Sequence, residues 1–172
     1  MFMLLIVPVV SWRSKGRVNE ILTKSNVSPK RIPESLITRI KSVNNKEIID
    51  LVSASNPDVI FVNGTRIISK SVIESIGIKM VNIHVGITPK YRGVHGGYWA
   101  AYNNDMDLFG ATLHYIDSGV DTGRVIGQKV IEISKRDNFI TYPIKQYVIG
   151  LDLIKENVKN INEGVTLCSL TK

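Results

Sequence analysis

Two rhythms of apolar residues take turns along this chain. Over Lys46 to Ser55, Ile48, Ile49, Leu51 and Val52 share one face at helical spacing, with Asn45 ahead as an N-cap and Asn56-Pro57 as a stop. Asp58 to Val62 is then a short continuous apolar run, which predicts a strand buried on both faces and ending at Asn63-Gly64. The pattern repeats: Ser69 caps a short helix through Ile76, with Val72, Ile73 and Ile76 inward, and Met80 to His84 reads as the next strand. Such alternation predicts an α/β fold, a mostly parallel sheet with flanking helices.

Downstream, Gly96 to Asn104 predicts a helix, Gly110 to Ile116 a strand, and Arg124 to Ile133 a second strand, the two strands a hairpin-like pair joined by the acidic turn Asp117 to Gly123. From Pro143 to Asn162, the stripe Ile144, Tyr147, Val148, Leu151, Ile154, Val158 and Ile161 predicts an amphipathic helix stopped by Gly164. The stripe is broad enough to meet a second subunit, which predicts a homodimer.

The opening Met1 to Val10 is apolar but lacks a basic leader and a cleavage site, and it is shorter than the roughly 20 residues that span a bilayer. It reads as core, with no membrane span. Two alternatives stay open there. Either Leu4 to Val10 is a first strand, with Ser11 to Gly16 as a makeshift phosphate loop opening a helix at Arg17 to Ser25, or Met1 to Ser25 is what remains of a longer helical segment; Pro8 sits badly in either.

A length of 172 residues, 44% hydrophobic and 22% charged, suits one domain with a real core. The single Cys168 excludes an intramolecular disulfide and a cysteine-based zinc site, and it fits a reducing, cytoplasmic setting. A net charge of +7 raises nucleic acid as a partner, but the basic residues are scattered, without a dense run or interleaved aromatics. The charge reads instead as a solvated basic face, or as a field that attracts a small anionic substrate.

Chemistry concentrates in the middle of the chain. Asn82 and His84 are two apart on a predicted strand, so they point to one side, and ligands in open parallel sheets bind beyond the carboxyl ends of the strands. The Gly-rich loop Thr88 to Trp99 follows, and Asp121 lies in the turn Val120-Asp121-Thr122-Gly123. An amide, an imidazole and a carboxylate together can hold a carbonyl, stabilise its oxyanion and carry a proton, which is acyl-transfer chemistry without a metal. His84 could instead be a structural histidine and Asp121 a turn cap.

In order and spacing, Asn82-Ile83-His84, Thr88-Pro89-Lys90-Tyr91-Arg92-Gly93 and Asp117-Ser118-Gly119-Val120-Asp121-Thr122-Gly123 resemble the formyltransferase family, over roughly Asn56 to Ile133. The resemblance implies a Rossmann-like fold and a formyl donor, 10-formyltetrahydrofolate, with Asn82, His84 and Asp121 catalytic. It implies a pterin pocket made by Asn63, Gly64, Arg66, Ile67 and Ile68 on one wall and by Asp117, Ser118, Gly119 and Val120 on the other. Lys90, Tyr91, Arg92 and His95 are expected to face the substrate. His114 matches a position that is often histidine in purine-pathway members, where a supporting role is expected.

The resemblance divides the chain into an abbreviated N-terminal part (1–44), a catalytic core (45–134) and a C-terminal helix (143–162) within one catalytic domain (1–172). Members usually have a longer N-terminal half, and the methionyl-tRNA formyltransferases add a C-terminal domain, so a transfer RNA acceptor is disfavoured. The string Tyr91 to Trp99 is most similar to members associated with surface-polysaccharide synthesis, which implies a small amine acceptor, an amino sugar carried on a nucleotide. A formyltetrahydrofolate hydrolase, a glycinamide ribonucleotide-type transferase and a non-catalytic binding protein are the alternatives.

Overall fold

The computed structural model describes residues 2–28, 30–163 and 170–171. In chain order the elements are α1 (Phe2–Lys24), α2 (Lys46–Ser55), β1 (Ile60–Val62), α3 (Lys70–Ile76), β2 (Met80–His84), α4 (Gly96–Tyr102), β3 (Gly110–Tyr115), β4 (Val125–Val130), α5 (Tyr142–Glu163) and β5 (Leu170–Thr171). The strands lie side by side in that same order. The α/β class with helices flanking the sheet is therefore the fold, and the sheet is mixed. β1 and β2 are parallel across the α3 crossover, β3 runs antiparallel to both β2 and β4, and β5 is parallel to β4. A seven-residue turn from Asp117 to Gly123 closes a hairpin and is too short to return a chain for parallel pairing.

One face of the sheet is dry. Val81, Leu113 and Ile126 pack there against Leu153 and Ile161 of α5, all under a tenth exposed. The expected stripe on α5 splits: Val148 and Ile161 are buried, but Tyr147, Leu151 and Val158 stay more than a third exposed. The buried line instead includes Gln146, Gly150 and Asn157. Gly150 is there because a Cβ would stand 2.4 Å from Ile83 Cγ2, so only glycine lets α5 lie this close to β2. Gln146 Nε2 donates to the carbonyls of Val85 and Gly110. An apolar stripe read from sequence misses both kinds of residue. The expected stop at Gly164 and the lone Cys168 lie outside the described residues.

The N-terminal part departs most from expectation. The first segment is the long helix, not a strand, so Ser11 to Gly16 is helical and forms no loop. Its Val9 and Trp12 face solvent rather than a core, while Ser14 and Ile21 are buried. Polar anchors hold it: Arg17 donates to Asp137 Oδ1 (2.9 Å), Arg136 donates to Glu20 (2.7 Å), and Asn138 donates to Ser14 Oγ (3.0 Å). β1, expected to be buried on both faces, is an edge strand whose Phe61 is 44% exposed. α2 forms over the expected residues, with Asn56 as its left-handed C-cap; Asn45 stands at the N-cap position but its side chain makes no capping hydrogen bond, and the helix buries no residue fully.

Candidate active site

β2 and β3 build the centre of the site. Asn82 pairs with His114 and His84 with Thr112 across the antiparallel ladder, so all four side chains rise from the face opposite α5. A register shift between Leu113 and His114 marks a bulge at this point of the β3–β4 ladder, a common device for re-aiming a strand beside a site. Thr112 Oγ1 donates to the Gly86 carbonyl (2.7 Å) and accepts from Thr88 N–H (3.2 Å) and Gln128 Nε2 (3.1 Å). This network pins the start of the loop that follows β2.

That loop folds back over the strand ends. Tyr91 is buried against Ala100, Phe109 and Ile131, its hydroxyl donates to Asp105, and its carbonyl accepts the Nε2–H of His84 at 2.6 Å. Gly86 makes the approach possible, because a Cβ there would lie 2.3 Å from the Tyr91 carbonyl and 2.7 Å from His84 Nε2. Beyond Tyr91, Gly93 N–H donates to Asp121 Oδ2 (2.9 Å) and Arg92 Nε donates to the Asp121 carbonyl (3.0 Å). Asp121 itself holds a left-handed φ of 50°, a conformation that costs a non-glycine residue and survives only where neighbours enforce it.

The outcome is a carboxylate between two imidazoles. Asp121 Oδ2 lies 3.3 Å from His84 Nδ1, and Asp121 Oδ1 lies 3.4 Å from His114 Nε2. The rings meet edge to face with centroids 6.5 Å apart. His114 donates Nδ1–H to the Tyr115 carbonyl (2.7 Å), leaving Nε2 facing both Asp121 and the amide of Asn82, which is 3.3 Å away. Burial pushes the Asp121 carboxyl up, but the hydrogen bonds from His114 and Gly93 and the field of the two histidines outweigh it and hold the carboxyl below its usual range. With Nε2–H of His84 given to Tyr91, a proton on Nδ1 points only at Asp121. Of the two groups that could donate to an oxyanion, the Asn82 amide and the His84 ring, His84 has Nε2 on the Tyr91 carbonyl and Nδ1 3.3 Å from Asp121 Oδ2.

A cleft of about 490 Å³ opens beside this cluster, a size usual for small-molecule sites. It brings together Asn82, His84, Asp121, His95, all five residues expected on the 63–68 wall, and Asp117, Gly119 and Val120. Ser118, Lys90, Tyr91 and Arg92 are not among the lining residues. Lys90 pairs with Asp105 on the outside, and Arg92 braces the Asp121 loop. Val94, Ile116 and Tyr147 line the cleft without having been expected there. Tyr147 arrives from α5 and has no local signature; Val94 and Ile116 flank expected residues, a weak signal that was available. Asp117 Oδ1 accepts from Gly119 N–H (3.0 Å) and Thr122 Oγ1 (2.6 Å), so the acidic turn is held by its own side chain. Among the described residues no cluster of His, Cys, Asp and Glu is arranged to hold a metal, and no helix is long and apolar enough to cross a membrane.

A family model described as formyl transferase matches residues 5–144. The chain belongs to the formyl transferase family. A methionyl-tRNA formyltransferase of Thermodesulfovibrio yellowstonii is 32% identical over 126 residues, 73% of this chain and 41% of that protein. The chain thus spans less than half the length of the curated relatives it matches. Among solved structures, a phosphoribosylglycinamide formyltransferase from Streptococcus pneumoniae is 28% identical, covers 66% of this chain and 65% of its own, and superposes with a TM-score of 0.53. A sugar N-formyltransferase from a Shewanella species shares the fold at 18% identity, with a TM-score of 0.62 over 95% of this chain and 72% of its own.

Proposed function

We propose that this chain is an N-formyltransferase core that moves a formyl group from 10-formyltetrahydrofolate to the amine of a small acceptor, an amino sugar carried on a nucleotide. The observation that carries this reading is the run Asn82, His114, Asp121 and His84 in mutual contact on the floor of one cleft. The donor reading is supported by the apolar surface that Ile67, Ile116 and Val120 offer a fused ring, between the 63–68 segment and the acidic turn.

The donor supplies the formyl carbon and a nitrogen that leaves. Asn82 Nδ2 donates to the formyl oxygen as that oxygen gains charge when the acceptor nitrogen bonds to the carbon. Asp121, kept ionised at neutral pH, takes the proton shed by the attacking nitrogen, and the proton returns to the leaving nitrogen as its bond to carbon breaks. His84 shares that proton with Asp121 along Nδ1–Oδ2 and stays oriented by the Tyr91 carbonyl. His114 holds Asn82 and the other carboxylate oxygen in register.

A second reading takes methionyl-tRNA as the acceptor, and the similarity to the Thermodesulfovibrio yellowstonii enzyme favours it. The test is tetrahydrofolate formation from 10-formyltetrahydrofolate with nucleotide-linked amino sugars, glycinamide ribonucleotide and charged transfer RNA offered separately. Turnover dependent on an amino sugar supports the first reading, turnover on transfer RNA the second, and release with no acceptor overturns both in favour of a hydrolase.

A further inference from the structure

A second cavity of about 600 Å³ lies between α4 and α5, and Val85, His95 and Tyr147 line both it and the cleft. Its remaining walls are chiefly aromatic, from Tyr98 and Trp99 of α4 and from Phe139 and Tyr142. Trp99, Tyr98 and Phe139 are each close to half exposed, which is unusual for large rings so near a site and marks surface held open for a ligand. The rings are ordered by contact, Tyr98 standing edge-on to Trp99 with centroids 5.2 Å apart.

We infer that this cavity receives the neutral ring of the acceptor, a pyranose lying with its C–H face on Trp99 and its amine directed past His95 into the cleft. The inference rests on the transferase reading above and names where its acceptor sits. Apart from His95, no side chain lining the cavity bears charge, so phosphate and carboxylate groups gain nothing there. The one amide on its wall, Gln146, already spends its Nε2 on two carbonyls, so no side-chain amide there is free to donate to the edge of a nucleobase. A pyranose meets both conditions, since its apolar face stacks on aromatic rings while its hydroxyls turn to water. Geometry agrees: the amine of an amino sugar is one bond from the ring, and the two cavities share a wall.

Trp99 reports on this directly. The chain has two tryptophans, and Trp12 is on the exposed side of α1, outside both cavities, so Trp12→Phe leaves Trp99 as the sole emitter. Titration of that variant with the methyl glycoside of an amino-deoxyhexose is expected to shift Trp99 emission saturably, whereas an acyclic amino alcohol and inorganic pyrophosphate leave it unchanged. In turnover, Trp99→Ala should raise the acceptor KM roughly three- to tenfold, with kcat and donor KM unchanged, and Trp99→Phe should retain most of the affinity. An unresponsive emission at glycoside concentrations that saturate turnover, a response to uridine or adenosine in place of the glycoside, or a Trp99→Ala effect on donor KM would each overturn the inference. The titration needs no turnover, so glycoside binding without product refutes the transferase reading alone, and product formation indifferent to Trp99 refutes this one alone.

Discussion

The two ends of the sheet are built differently. β3 is buried at five successive positions from Gly110 to His114, and the loop above it is tied down by Thr112, Gln128, Tyr91 and Arg92. β1 is three residues long, its Phe61 is open, and the neighbouring α2 buries nothing fully. The candidate catalytic cluster thus sits on the well-buried strands, while the 63–68 wall of the cleft is carried by the thinner side, with Ile67 68% exposed. A constellation that must hold a carboxylate within hydrogen-bond reach of two rings needs rigid support, whereas an apolar wall for a ring tolerates adjustment.

Substitutions should reveal this contrast, and the largest effects are expected at the centre. Asn82→Ala should lower kcat by about two to three orders of magnitude, the usual cost of one oxyanion donor, with donor KM little changed in steady-state assays. Gly86→Ala should damage both stability and activity, because the new methyl overlaps a backbone carbonyl and the His84 ring; a melting experiment should show a loss of about 1 to 3 kcal/mol. Away from the cleft, Asp137 has a fully buried side chain that accepts from Arg17, Lys145 and Ser134. Burial pushes its carboxyl up, but those donors prevail and hold it well below the carboxylate range. Its stabilisation is therefore complete above the unfolded value, near pH ~3.9, and is lost as pH falls below it toward the folded value. Asp137→Asn should loosen α1 and flatten that acid dependence in pH-dependent unfolding curves. The smallest effect is expected at the thin edge, where Phe61→Thr should change stability by less than about 0.5 kcal/mol in denaturant titrations. A large loss there would erase the distinction between the two ends.

The sequence made the site more legible than its surroundings. Asn82 and His84 could be placed on one face from strand periodicity alone, and Asp121 could be linked to them through the family resemblance, because close-range chemistry leaves short signatures. The hairpin of β3 and β4 was legible from its turn, but the antiparallel pairing of β2 with β3 was harder to see, since a buried antiparallel strand such as β3 carries the same continuous apolar run as a parallel one. Long-range closure left no local trace. Nothing near Tyr91 says that its carbonyl takes the His84 proton, nothing near Arg92 says that it braces Asp121, and Gly150 and Gln146 look like interruptions of an apolar stripe although both are buried in α5. At the N-terminus, Pro8 argued equally against a strand and a helix, and the anchors that settle the helix come from residues more than a hundred positions away.

The most direct test compares the native chain with Asp121→Asn in single-turnover reactions, with 10-formyltetrahydrofolate bound and an amino-sugar acceptor added. The account predicts that the variant folds, binds the donor as before and forms tetrahydrofolate at least about a hundredfold more slowly. A variant with native donor binding and a native rate would contradict it, because the carboxylate held between His84 and His114 would then carry no proton.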